Sequence, residues 1–596
     1  MKRLLSGNEA VARGAYEAGI KLAAAYPGTP STEILETLAG EYRSIYSEWS
    51  PNEKVAFEVG IGSSLGGART LVTMKHVGLN VAADPFMTFA YTGVRGGFVV
   101  VSADDPEMHS SQNEQDNRLY AKFAQIPFLD PSDSQEAKDF VLKGCEISEQ
   151  FDTPVMLHMT TRISHSKGIV EECEPVTPPE FPFEHEMEKY VMVPANARKR
   201  HVVVAERLEK LKKFAEETDL NVLETNGSEI GIITGGISYQ YAKESMPDAD
   251  YLKLGLGFPL PLEKIRAFVE SHQTTIVVEE LEPYYEEMIK AAGLNVEGKE
   301  YFSRLGELSP YKVSQGLKKA GLVDQVKGAD LEAEQLFPRP PILCPGCPHR
   351  GAFMALKKLK IPVTGDIGCY TLAVLPPLHV LDSCICMGAS IGNAIGLEKV
   401  DKSHKGVVAV IGDSTFLHSG ITGLLDAVYN KSNVTVMILD NRITAMTGGQ
   451  QHPATGHTLM GEPTRQVDFV ELCKALGVEE DNIRQVDPYD YKGTIATVKE
   501  EMDKIGPSVI ITTRACVLMP KRIADRAYKV DLDLCNGCSA CFRIGCPAIL
   551  PSKEMTKRNR PKAVIDATLC TGCTLCAQVC QPEAIIPVEK PSAVVK

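Results

Sequence analysis

The sequence predicts an α/β protein: several open, mostly parallel-sheet domains followed by a small α+β domain rich in cysteine. Three observations carry that prediction. Short β-branched runs such as FVVVSADD (98–105) alternate with helix-length stretches along residues 1 to about 520. Buried parallel strands read as continuous apolar runs, and alternation of strand with helix is the pattern of parallel sheets. Glycine-bearing turns follow the strands, as in IITGGIS (232–238). Finally, eight of the 17 cysteines fall between 535 and 580, so the tail is of another kind.

Taken in order, GNEAVARGAYEAG (7–19) has helical spacing and leads into a strand. FVVVSADD and PVMLHMTT (154–161) read as buried strands. CEPVTPPEFPFEHE (173–186) is proline-rich and marks a linker. The second block repeats strand, turn and helix in EIGIITGGISYQYAKESM (229–246) and QTTIVVEELEPYYEEMIKAAG (273–293). A boundary is expected at FPRPPILCPG (337–346). The third block has KGVVAVIGDS (405–414) and NVTVMILDN (433–441) as its clearest strands. The expected domains are 1–180, 200–325, 338–522 and 525–596.

Composition narrows the function. Hydrophobic residues make up 44% and charged residues 23%, enough apolar content for several cores. The net charge of -14 argues against nucleic acid as the main partner, because such partners select basic faces. No apolar run approaches the roughly 18 residues of a membrane span, and the MKRLL start has no apolar stretch of leader length. The expected location is the cytoplasm, with no membrane association. Disulfides are rare there, so closely spaced cysteines point to metal or redox chemistry.

The tail supplies that chemistry. Its first run is Cys535-x2-Cys538-x2-Cys541-x4-Cys546-Pro547, and its second is Cys570-x2-Cys573-x2-Cys576-x3-Cys580. Zinc knuckles use pairs of cysteines; three cysteines at C-x2-C-x2-C, twice over, is the spacing of two-cluster ferredoxins. In that arrangement the fourth cysteine of each run closes the other cluster. The spacing predicts one [4Fe-4S] cluster on Cys535, Cys538, Cys541 and Cys580, and another on Cys570, Cys573, Cys576 and Cys546. The first run carries one extra residue before Cys546, and Gln581-Pro582 rather than proline follows the second.

The third block carries Gly412-Asp413-Ser414 at the end of one strand and Asp440-Asn441 at the end of the next. This resembles the thiamine-diphosphate motif, Gly-Asp-Gly followed some 25 residues later by Asn. Strand carboxyl ends are where open α/β sheets bind ligands, and hard oxygen donors suit the Mg2+ that accompanies a diphosphate. Glycine would admit the diphosphate to the backbone and the helix N-terminus would favour its charge. The resemblance makes Asp413, the Asn441 side chain and the Ile443 carbonyl the magnesium ligands. Gly412 and Ser414 complete the cofactor site, with Ser414 departing from the second glycine. Thiamine enzymes add a glutamate from another domain, which hydrogen-bonds the aminopyrimidine ring. Glu53, heading the helix with Ala56, Gly60, Gly62, Gly66 and Gly67, is the expected catalytic and cofactor-binding residue, with Glu58 the alternative.

These motifs, with GNEAVARGAYEAG, YPGTP, LCPGCPHRG, DIGCYT and DNRITAMTGG, occur in this order over essentially the whole chain. The chain resembles the large (alpha) subunits of the indolepyruvate branch of the 2-oxoacid:ferredoxin oxidoreductase group. The resemblance implies a pyrimidine-binding first domain, a second like the transketolase C-terminal domain, a third binding diphosphate and Mg2+, and a ferredoxin-like fourth. It implies oxidative decarboxylation of aryl 2-oxoacids with coenzyme A, giving aryl-acetyl-CoA and CO2. Two electrons would pass singly to ferredoxin. A smaller beta subunit in an α2β2 heteromer is implied as partner, and Thr29 as a residue on the substrate side. Pyruvate or branched-chain substrates, or a non-redox thiamine lyase with a structural cluster domain, remain open.

In several relatives cysteines matching Cys344, Cys347 and Cys369, with a fourth farther on for which Cys516 is the candidate here, hold a further cluster; free cysteines are also common in cores, and these four stand outside the expected ligands. His349 is close enough to Cys347 to suggest another use. Cys384 and Cys386 are expected in helix packing, and Cys145, Cys173 and Cys473 carry no signal. SKEMTKRNRPK (552–562) is a basic loop in an acidic chain, either solvated or a dock for an acidic ferredoxin.

Overall fold

The computed structural model describes residues 1–179, 181–329, 339–400, 406–519 and 526–588. Two compact units divide the chain between 336 and 337, with 459–461 assigned to the first. The start of the boundary expected at 337–346, and the junction expected at 522–525, lie outside the described residues.

In the first unit a seven-stranded sheet has the order Leu256–Phe258, Phe128–Leu129, Val155–Thr160, Phe98–Asp104, Thr70–Lys75, Leu22–Ala25, Tyr46–Trp49. All neighbours are parallel except the first pair. The parallel strands therefore end at one edge, the edge at which such sheets bind ligands. Local chemistry starts the helices around it. Ser6 and Glu9 form a reciprocal cap on helix Gly7–Glu17. The Asn52 side chain accepts from the Val55 N–H at 2.9 Å, which starts helix Glu53–Leu65 with Glu53 as its first residue. Gly60 lets that helix sit against the sheet, since a Cβ there would lie 2.5 Å from Val72 Cγ2.

A four-stranded sheet has the order Thr274–Val278, Ile230–Thr234, Asp250–Leu254, Asn221–Glu224, with the last strand antiparallel. The blocks expected over 1–180 and 200–325 are not independent. Strand Leu256–Phe258 of the second pairs antiparallel with Phe128–Leu129 of the first. That parallel strand is two residues long and would leave an open sheet edge; the added strand covers it. Buried side chains of both blocks, such as Val99, Leu157, Ile232 and Tyr251, share one core.

The second unit is built on a six-stranded, all-parallel sheet. Its order is Ser383–Cys384, Val363–Gly365, Val408–Gly412, Thr435–Asp440, Ser508–Thr513, Ile483–Val486. The cysteine tail adds two antiparallel pairs, Tyr528–Val530 with Ile585–Pro587 and Ile549–Met555 with Pro561–Ile565. Its apolar residues Ile544, Ile549, Ile565 and Leu575 join the core formed by Phe353, Val408 and Met437 of the larger sheet. The tail is thus packed onto the sheet domain rather than tethered to it. No described helix is long and apolar enough to cross a membrane.

Candidate active site and metal centres

Strands Val408–Gly412 and Thr435–Asp440 are parallel neighbours, with Gly412 opposite Leu439. Asp413 and Asn441 therefore leave the same sheet edge side by side, both buried. Asp413 Oδ1 accepts from the Ser414 N–H and its Oδ2 from the Arg442 N–H, each at 2.8 Å. The second bond joins the two strand ends. Ser414 makes another such link, its hydroxyl accepting from Thr444 Oγ1 at 3.0 Å. The serine that departs from the motif is thereby used to hold the motif together. Gly412 has a neighbour that its sequence did not suggest: a Cβ there would lie 2.8 Å from the Tyr370 ring.

Two histidines complete this corner. His452 Nε2 lies 3.3 Å from Asp413 Oδ2. Asn441 Nδ2 lies 3.2 Å from His349 Nε2. Burial drives His349 down to about 4 against the pull of Asp413, so its ring is neutral and Nε2 accepts from the amide. That fixes the Asn441 oxygen, which accepts from the Ile443 N–H at 3.2 Å and keeps a second lone pair. Asp440 is pushed up to about 6 by burial and by the charge of Asp413. Like charges at one strand edge, with carboxylate, amide and carbonyl oxygens around them, fit a small divalent cation.

At the carboxyl edge of the seven-stranded sheet, Glu53 is 5% exposed and packs against Gly78; a Cβ on Gly78 would lie 2.8 Å from Glu53 Oε1. Glu58 instead faces solvent, ion-paired with Lys54 one turn away. The structure thus separates the two glutamates that the sequence left open. Thr29 lies half-buried in the turn after Leu22–Ala25. At the adjoining Gly28 a Cβ would lie 3.3 Å from the Lys75 side chain. Burial holds the Lys75 ammonium below its ordinary range against the pull of Asp105 and Glu53, and Nζ donates to the Ser110 carbonyl at 3.1 Å.

In the tail, one cavity is lined by Cys535, Cys538, Cys541 and Cys580, and a second by Cys546, Cys570, Cys573 and Cys576. The fourth cysteine of each run has crossed to the other set. The extra residue before Cys546 is taken up at Gly545, whose φ of 70° closes the turn Phe542–Ile544. Burial and crowding by Cys538 push the Cys541 thiol up to about 11. Thiols that raise one another fit a metal centre, which binds them deprotonated.

The structure also gathers the cysteines left outside the expected ligands. Cys347 donates its N–H to the Cys344 carbonyl at 3.0 Å. Cys369 opens the turn Cys369–Val374, and Cys516 donates its N–H to the Asn441 carbonyl at 3.0 Å. The thiols feel one another. Cys347 is pushed up to about 12 by burial with Cys344 and Cys369 adding, and Cys369 to about 11 by burial with Cys516 and Cys344 adding. Cys384 and Cys386 depart from the helix-packing expectation. Cys384 ends a short edge strand and Cys386 is exposed before helix Ala389–Val400, because that helix begins only after both cysteines.

Against known proteins, residues 366–512 match the thiamine pyrophosphate enzyme C-terminal TPP-binding domain, and residues 13–219 the thiamine-diphosphate-binding region of pyruvate flavodoxin/ferredoxin oxidoreductases. The indolepyruvate oxidoreductase subunit IorA of Pyrococcus abyssi is 42% identical over 97% of this chain and 95% of its own. The IorA subunit of Archaeoglobus fulgidus is 42% identical over 99% and 98%. This chain belongs to the IorA family of indolepyruvate oxidoreductase subunits. A 2-oxoglutarate synthase KorA subunit of Methanothermobacter thermautotrophicus is 25% identical over 49% of this chain. A solved 2-oxoglutarate:ferredoxin oxidoreductase from Magnetococcus marinus aligns at TM-score 0.46 and 16% identity over 53% of this chain and 65% of that one. As an IorA-family chain it is an oxidoreductase with thiamine-pyrophosphate-binding domains of the ferredoxin-linked 2-oxoacid type.

Sequence reasoning missed Lys75, Tyr370, His452 and Arg350 at these sites. Arg350 and Tyr370 stand in quoted stretches, LCPGCPHRG and DIGCYT, but nothing in their spacing, or in that of Lys75, marks a role. His452 comes from a loop without periodicity, and the contact with Asp413 exists only once the sheet edge has formed.

Proposed function

We propose that this IorA-family chain catalyses ferredoxin-dependent oxidative decarboxylation of aryl 2-oxoacids, indolepyruvate and arylpyruvates, with coenzyme A. The 2-oxoacid anion and the CoA thiol give aryl-acetyl-CoA, CO2, one proton and two electrons, and two ferredoxins take one electron each. The observation that carries this reading is the meeting, on one sheet edge, of the Asp413–Asn441 corner and the Cys344, Cys347, Cys369 and Cys516 set. The two tail quartets share a core with that sheet.

Thiamine diphosphate, when bound, supplies the nucleophilic carbon that adds to the 2-oxo carbon and stabilises the electron pair left by CO2. Asp413, the Asn441 amide oxygen and the Ile443 carbonyl hold Mg2+ against the diphosphate, beside Gly412 and Ser414. Glu53 hydrogen-bonds the pyrimidine ring nitrogen and holds the proton there. Thr29 is the substrate-side residue. Cys535, Cys538, Cys541 and Cys580 hold one [4Fe-4S] cluster, and Cys546, Cys570, Cys573 and Cys576 another. Cys344, Cys347, Cys369 and Cys516 hold a third beside the thiamine site. A smaller beta subunit completes an α2β2 heteromer in the cytoplasm; the curated relatives are themselves named as subunits.

The test is anaerobic dye reduction by the heteromer loaded with thiamine diphosphate, Mg2+ and CoA. CoA-dependent reduction fastest with indolepyruvate and phenylpyruvate supports the proposal. Reduction with pyruvate or 2-oxoisovalerate alone keeps the mechanism and replaces the substrate class. No reduction from a cofactor-complete sample discards the redox reading.

A further inference from the structure

Arg350 is the second residue of the helix His349–Leu359 and is 2% exposed. Its guanidinium lies in the seam between the six-stranded sheet domain and the cysteine tail. Nη1 donates to the Ile544 carbonyl of the tail at 2.8 Å. Nη2 donates to the Leu343 carbonyl at 2.7 Å and the Cys344 carbonyl at 3.2 Å on the other side. Its backbone N–H donates to the Cys347 carbonyl at 3.2 Å. Nε is buried with no hydrogen-bond partner.

Among the described residues no carboxylate pairs with this cation. Arg118 meets Asp116 and Glu279, and Lys138 meets Glu17, whereas buried Arg207, like Arg350, donates to backbone carbonyls. A buried charge without a counter-charge is costly, and neutral carbonyls satisfy donors without cancelling charge. What sets Arg350 apart from Arg207 is what surrounds its guanidinium. On one side Arg350 lines the cavity of Cys546, Cys570, Cys573 and Cys576. On the other it holds the Cys344–Cys347 turn. Both are thiolate sets, and a four-thiolate cluster is anionic and gains another negative charge on each reduction.

We propose that Arg350 is the built-in counter-charge of the inner tail cluster, raising its reduction potential so that an electron from the thiamine side arrives there before the outer cluster. The inference rests on the cluster reading given under the proposed function. Cys546, Cys570, Cys573 and Cys576 would hold the cluster that takes up one electron, and Cys535, Cys538, Cys541 and Cys580 the one to which that electron would pass. No bond is made or broken and Arg350 keeps its proton. The carbonyls from both sides fix the guanidinium in place, so the charge cannot swing away as the cluster cycles. Arg350 is a positioning residue; it touches no substrate.

The experiment is an EPR-monitored redox titration of the full heteromer, wild type against Arg350→Gln and Arg350→Lys, with iron counted in each. The glutamine variant, with full iron, is expected to shift one cluster's reduction equilibrium at least tenfold toward the oxidised form, 59 mV for a one-electron couple. The lysine variant keeps the charge and should stay within about threefold of wild type. Full iron with unmoved potentials in the glutamine variant overturns the proposal, as does an equal fall in both variants. If the glutamine variant does not load, the lysine variant decides: full iron with wild-type potential supports the proposal, a tenfold fall defeats it. Wild-type protein without clusters would instead defeat the underlying cluster reading.

Discussion

The second unit holds two kinds of cysteine site, and the chain reaches them in different ways. In each tail quartet three cysteines come from one loop, Cys535 to Cys541 or Cys570 to Cys576, and the fourth from the other run. The set of Cys344, Cys347, Cys369 and Cys516 comes from three distant segments. They meet because strands Val363–Gly365, Thr435–Asp440 and Ser508–Thr513 are parallel and end at one edge. A repeated short spacing reports a chelating loop directly. A site gathered by topology becomes visible once the strand order is known.

The largest effect that could break this contrast is in the gathered set. Cys347→Ser is expected to remove about four of about twelve iron atoms per chain, and to stop substrate-driven reduction of the tail. Cys538→Ser removes a different four or so, yet leaves substrate able to reduce the inner tail cluster. Wild-type protein with about eight iron atoms would make the gathered set structural and dissolve the comparison.

Glu53 and Glu58 sharpen it in the first unit. They are neighbours in sequence, but the first is buried against Gly78 and the second is paired with Lys54 in solvent. Glu53→Gln should cost on the order of 10² to 10⁴ in kcat, the range for a positioned proton-transfer group. Glu58→Gln should cost less than about twofold, as surface changes do. Steady-state rates of both variants with indolepyruvate decide; equal losses would return the assignment to an open choice.

How much could be read beforehand follows the same division. The parallel-sheet class was legible because FVVVSADD and VAVIGDS are buried over their whole length, and both are interior strands. The tail quartets were legible from spacing alone. The pairing of the 200–325 block with the first was not legible, because a three-residue strand, Leu256–Phe258, has too little pattern to announce its pairing with Phe128–Leu129. Arg350, His452 and Lys75 were hidden for another reason. Their significance lies in backbone carbonyls and strand ends contributed by other segments, and side-chain type carries none of that information.

A third, smaller effect tests gathering at a histidine. His158 lies within a buried strand, and parallel neighbours bring it two acids: Nε2 is 2.9 Å from Asp104 and Nδ1 is 3.0 Å from Asp130. Burial alone would lower it; Asp104 and Asp130 outweigh burial and hold it up at about 10, while Asp116 nearby is paired with Arg118. His349, equally enclosed but without a contacting carboxylate, falls to about 4. Because the folded value exceeds the unfolded one of about 6.5, the contribution is complete below pH of about 6.5 and fades as pH climbs to about 10. His158→Gln should cost roughly 3–5 kcal/mol at neutral pH by leaving buried carboxylates unpaired. Denaturant midpoints measured across that window should fall for wild type and stay flatter for the variant.

The smallest expected effect concerns the way out of the tail. The basic stretch forms the hairpin Ile549–Met555 and Pro561–Ile565, with Lys553, Lys557, Arg558 and Arg560 exposed on a chain of net charge -14. Its turn packs over the loop of the outer quartet: a Cβ on Gly537 would lie 2.9 Å from Thr556 Cγ2 and 3.2 Å from Arg560 Cβ. Cys538 is the exposed member of that quartet. A positive patch beside the exposed cluster loop suits an acidic acceptor, and steering of this kind acts on association rate more than on affinity. Replacing Lys557, Arg558 and Arg560 together by Gln should lower kcat/KM for ferredoxin about tenfold at low ionic strength. The gap should close as salt rises, since screening already removes the attraction in wild type. Reduction of a small neutral dye should be untouched. A ferredoxin rate indifferent to both salt and substitution would leave the hairpin a solvated turn, and the outer quartet's exposure would then have to be explained without it.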